Sequence, residues 1–182
     1  MTGIRMLAAM AAAGLVMLAA PAWAQSFSDA DRARVEARIA QLDAVVSSGD
    51  LAGAMEVVPP RLFGTIAERG GVTKAQLLSA MREMIRTQLV GVSVVSHDMD
   101  LDAAAPLLTP DGKQTYLLIP TVLVLDIPDA GKVRIATRTL ALADGGDWHL
   151  IRVEEAQQVA LVRELWPSFV GVEFTPGVTE AL

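Results

Sequence analysis

Few side chains in this chain could carry acid–base, nucleophilic or metal chemistry. It has two histidines, His97 and His149, one tyrosine, Tyr116, and no cysteine. Thiol catalysis, thiolate metal sites, iron–sulfur clusters and disulfides are therefore excluded. A histidine pair does chemistry or binds metal only where both rings converge with carboxylates. His97 and His149 fall on different expected strands and would meet only if the first strand lay beside the last. Asp98, Asp100 and Asp102 form an alternating acidic run that could open a calcium loop. Such a loop needs a glycine and then a distant glutamate, and Ala103 and Thr109 stand in those places. The run reads as a solvated strand end, and neither a metal nor another cofactor is expected. No nucleophile motif, phosphate loop or dinucleotide fingerprint is present, and Gly145-Gly146 reads as a hairpin turn.

The elements that must position these groups follow from periodicity. Ser28, with Asp29 and Asp31 behind it, opens a helix whose apolar stripe is Val35, Ile39, Leu42 and Val46. Gly49 ends it, Asp50 opens a short helix from Leu51 to about Val57, and Pro60 can begin a third that Gly70-Gly71 closes. Thr73 with Gln76 is a capping-box pattern opening a helix over 74–89. The period then changes. Strands are expected from Val92 to about Leu101, over Thr115 to Ile127, Lys132 to Ala143 and Trp148 to Val153, with 103–112 as a loop. A last helix begins at Glu154 or Glu155 and stops before Pro167, and 171–182 reads as an irregular tail.

Helices followed by an antiparallel meander make an α+β fold: N-terminal helices packed on a curved antiparallel sheet, then a C-terminal helix. Closing the first hairpin over 126 and 133 puts Tyr116, Thr137, Thr139, Trp148 and Arg152 on one sheet face. They are the candidate pocket-lining residues; Trp148, like Trp166, also reads as a core anchor. A one-residue slip would move part of this set to the other face. Pro120, in mid-strand, argues for a bulge and bend there. Both sheet faces are mostly apolar, so both must be covered. Helices can cover one; the other needs the terminal helix 155–166 or a second copy of the chain, and if it is a second copy, a charge at Leu123 or Leu140 would split the dimer.

Met1 to Ala24 reads as a cleaved signal peptide. Arg5 is its basic start, 6–20 is an uncharged apolar run, and Ala22-Trp23-Ala24 is a small-residue cleavage site before Gln25. The run is shorter than the ~20 residues that span a bilayer. A soluble periplasmic or secreted product is expected, with no membrane span, and 25–170 as one domain. The net charge of −6 and the absence of any basic cluster argue against nucleic acid as a partner.

Several short motifs, in order, carry a resemblance. They are Ser48-Gly49-Asp50-Leu51, Pro59-Pro60, Tyr116-Leu117-Leu118-Ile119-Pro120-Thr121, Gly146-Asp147-Trp148 with Ile151, and Leu165-Trp166-Pro167-Ser168-Phe169. Together they resemble the nuclear transport factor two-like superfamily, most closely its exported bacterial members without assigned function. The resemblance implies helices packed into the concave side of a curved sheet, a cone that often encloses a pocket. It does not transfer a function. The ketosteroid isomerases of this fold join an Asp base to a Tyr and a protonated Asp. Here the one tyrosine, Tyr116, and Asp126 lie about 33 Å apart along one strand, too far to hold one small substrate. The expected function is a non-catalytic binding or interaction domain that self-associates through its sheet. The alternative is an enzyme acting on a small apolar molecule in the cone.

Overall fold

The computed structural model describes residues 27–182; the expected signal peptide and its cleavage site lie outside them. α1, Asp29–Ser48, opens with a complete capping box: the Ser28 hydroxyl accepts from the Asp31 backbone, and the Asp31 carboxylate accepts from the Ser28 backbone. After Gly49 the chain turns back along α1 as a 3-10 helix, Leu51–Val57. The return lies close: a Cβ on Gly53 would come within 3.1 Å of both Val45 methyls, so a larger residue there requires the Val45 side chain to give way. Pro60 opens α2, Pro60–Arg69, and the Thr73–Gln76 capping box opens α3, Lys74–Gln88.

The sheet comprises β1 (Ser93–Met99), β2 (Leu107–Leu108), β3 (Thr115–Ile127), β4 (Gly131–Asp144), β5 (Asp147–Arg152) and β6 (Val178–Ala181). Its path is β1-β3-β4-β5, all antiparallel, with β2 on β3 and β6 on β4. α4, Ala156–Leu165, and a 3-10 turn, Pro167–Phe169, follow β5. The chain is α+β, with a curled antiparallel sheet. Among the described residues no helix is long and apolar enough to cross a membrane.

Four expectations are corrected. The β3–β4 register is one residue from the expected one: Asp126 pairs with Lys132 and Ile127 with Gly131. A two-residue turn would have put Pro128 in the ladder, where it has no N–H to give. The loop takes three residues instead, with Asp129 and Gly131 at positive φ, 64° and 75°. Tyr116 thereby moves to the opposite face from Thr137, Thr139 and Arg152. The β3–β4 ladder runs unbroken past Pro120, and the bulge lies in β1, between Val94 and Ser96. Pro120 is tolerated because β1 ends at Met99; its carbonyl still accepts from Asp100 N–H at 2.9 Å. The 103–112 loop contains β2, and the tail is not irregular throughout, since β6 extends the sheet beside 133–136 of β4.

Each sheet face has its own core. On the concave face Leu117, Ile119, Ala141, Trp148 and Leu150 pack with Val35 of α1 and with Val57. On the convex face Tyr116, Leu140, Leu142, Ile151 and Val153 pack with Val162, Leu165, Trp166, Phe169 and Val172. Full burial of each large apolar side chain contributes roughly 1.5–3 kcal/mol, so this second layer is a substantial part of the fold. Of the two covers expected for this face, the terminal helix and the segment after it are the one the structure shows.

Candidate functional site

A cavity of about 390 Å³ lies between the concave face and the N-terminal helices. α1 contributes Leu42 and Val46, the second half of its apolar stripe, while Val35 and Ile39 pack on the concave core. The 3-10 helix adds Leu51, Ala54 and Val57, and the α3–β1 connection adds Leu89 and Val92. The sheet floor follows the two-residue period of its strands: Thr121, Leu123 and Leu125 from β3, Ile135, Thr137 and Thr139 from β4, and Leu150 and Arg152 from β5. The wall is thus apolar apart from His97, three threonines and Arg152.

His97 reaches this cavity through the β1 bulge. Val94 and His97 both line it although an odd number of positions separates them. In a regular strand one would point away. The extra residue, Val95, is left exposed and restores His97 to the inner face. There the His97 ring is largely buried, and its Nδ1 lies 2.7 Å from Asp43 Oδ1 on α1. An ionised carboxylate only accepts, so Nδ1 carries the proton and Nε2 keeps its lone pair in the neutral ring.

The threonines differ in how far they are satisfied. Thr121 Oγ1 donates to the Ile119 carbonyl at 3.0 Å and lies 2.8 Å from Thr139 Oγ1, so Thr139 must donate to Thr121. Thr137 lies beside Glu154, yet neither Thr137 Oγ1 nor Glu154 Oε1, both buried, completes a hydrogen bond of ordinary geometry among the described residues. Arg152 donates to the other Glu154 oxygen at 2.6 Å. Burial pushes the Glu154 carboxyl up, but Arg152 and Thr137 outweigh it and hold the group below the usual carboxylate range.

Of the five pocket-lining candidates, Thr137, Thr139 and Arg152 line the cavity. Tyr116 does not: the register carries it to the convex core, edge-on to Phe169 at 5.2 Å, and burial raises its pKa. Trp148 shares the inner face but is packed into the concave core, edge-on to Phe27 at 5.4 Å, with its indole N–H donating to Asp31 at 3.1 Å. The two histidines do not meet. β1 and β5 are at opposite ends of the strand path, and His149 lies on the convex side with Leu142 and Ile151. In the acidic run, Asp102 pairs with Arg32 and Asp100 caps the Ala103 N–H. The cavity base His97 and its partner Asp43 were missed as a pair. Asp43 flanks the apolar stripe of α1, but only the bulge turns His97 toward it.

No protein-family model, curated protein or solved structure matches this chain.

Proposed function

We propose that this is an exported, non-catalytic binding protein that holds a small, largely apolar molecule in the cavity between its helices and the concave sheet face. The observation that carries this reading is the cavity wall itself. Its volume of about 390 Å³ is in the range of small-molecule sites, roughly 300–1,000 Å³. Helices seated on the inner face of a curved sheet are the arrangement that the nuclear transport factor two-like resemblance implies, and the reading includes membership of that superfamily. Export rests on the leader at 1–24 and gives a periplasmic or secreted location. Self-association has less to support it, because α4 and the segment after it cover the convex core.

Binding is tested by titrating the purified protein with 2-methylnaphthalene. Saturable one-to-one binding is expected, weakened at least about tenfold in Leu123→Trp, whose indole occupies the cavity floor. Equal binding by both proteins would place the probe elsewhere and refute the reading. One observation favours the alternative, an enzyme acting on such a molecule: a ring nitrogen with a free lone pair on the cavity wall, held by a carboxylate. Turnover of a bound apolar molecule that disappears in His97→Gln, with binding retained, would establish it.

A further inference from the structure

We infer that the cavity selects a ligand carrying a hydroxyl group, an alcohol or phenol on an apolar body, and that His97 Nε2 is the acceptor that reads it. The inference rests on the cavity being the binding site, and it comes from asking what each polar group on the wall can still do. Thr121 and Thr139 are bonded to each other, and Thr121 spends its proton on the Ile119 carbonyl. Arg152 gives one N–H to Glu154 and can donate others but never accept, so it cannot read a hydroxyl proton. Thr137 Oγ1 lies beside Glu154 and completes no hydrogen bond of ordinary geometry, but a hydroxyl donates or accepts equally well and so does not discriminate.

His97 does discriminate. In the neutral ring Asp43 takes the Nδ1 proton, which leaves Nε2 as the acceptor. Among the described residues Nε2 has no hydrogen-bond partner, and the ring sits in an apolar wall. Nε2 stays reachable from the cavity, since it is not one of the buried unpartnered atoms; a ligand that covers it without donating a proton leaves it unpaired, which is costly. A hydroxyl satisfies it; an ether, ketone or carboxylate presents only further lone pairs. Sites that bond a ligand hydroxyl reject the analogue lacking it, because rejection follows from the unpaired protein group.

The test is the affinity of the purified protein for 2-naphthol against 2-methylnaphthalene. The two probes have nearly the same shape, and an unselective apolar cavity would prefer the methyl compound. Expected is a preference for 2-naphthol of roughly tenfold, the effect of one net hydrogen bond. The preference should vanish or invert in His97→Leu and persist in Thr137→Val. Preference for 2-methylnaphthalene by the unaltered protein would overturn the inference while leaving the cavity reading intact. Binding of neither probe would remove the cavity reading and the inference with it. Should His97→Leu fail to fold, loss of the naphthol preference in Thr137→Val would assign the hydroxyl to Thr137 and overturn the role of His97. Were His97 only a tie between α1 and β1, His97→Leu would lower stability and leave the probe ratio unchanged.

Discussion

His149 is buried on the convex face, its Nδ1 without a partner among the described residues. Burial, and after it the charge of Arg38, holds its pKa below the ordinary 6.5. The folded state therefore prefers the neutral ring. Its contribution is complete above pH 6.5. It is lost as the pH falls from there toward the folded value, because the unfolded chain then binds more protons. Thermal melts should thus decline on acidification below pH 6.5, and His149→Gln should flatten that decline; an unchanged slope would show that His149 is already protonated without cost. Trp148 tests the other core. Its indole is 4% exposed between the sheet, α1 and Phe27, so Trp148→Ala should cost ~3–5 kcal/mol in a denaturant titration. A loss under about 1 kcal/mol is what surface positions give and would contradict its place in the core.

α4 and the residues after it decide what the convex face is. Leu140 is fully buried against this layer, so Leu140→Asp would put an unpaired carboxylate in an apolar core, a large penalty. Circular dichroism should show loss of helix and strand together; a fully folded variant with altered association would instead indicate a face shared between two molecules. The elements themselves were largely readable in the residues, because their signals are local. The Ser28 and Thr73 caps, Pro60 at a helix start and the Asp144–Asp147 turn each depend on a few neighbouring positions. What escaped is not local. The first hairpin's register depends on whether its loop holds two residues or three, and Pro128 settles that only once the ladder is considered. The Val95 bulge needs β3 as its partner before it has any meaning, yet it turns His97 inward. β6 is four exposed residues with no apolar pattern of their own, formed because β5 leaves the lower half of β4 unpaired. The candidate site was legible to the same degree: Thr137, Thr139 and Arg152 share the face that the second hairpin sets, whereas Tyr116 depended on the first.

At the scale of the whole molecule, the proposed export leader precedes a fold with a covered sheet and an apolar cavity. Mass spectrometry of the protein recovered from outside the cytoplasm should find its N-terminus at Gln25; an intact Met1 in a membrane fraction would make the apolar run an anchor. The cavity is bounded by α1, the 3-10 helix, the α3–β1 connection and the sheet floor together, so it exists only when the N-terminal helices are seated. Filling it should stabilise the whole fold, since a ligand bound to the folded state alone shifts unfolding by mass action. The most direct measurement is a crystal structure of the protein soaked with 2-bromonaphthalene, with the bromine located by its anomalous signal. The account predicts one dominant peak inside the cavity, between Leu42 and Val46 of α1 and Leu123 and Ile135 of the sheet. Bromine found only on the outer surface, or a cavity closed by side chains and unable to admit the probe, would contradict it.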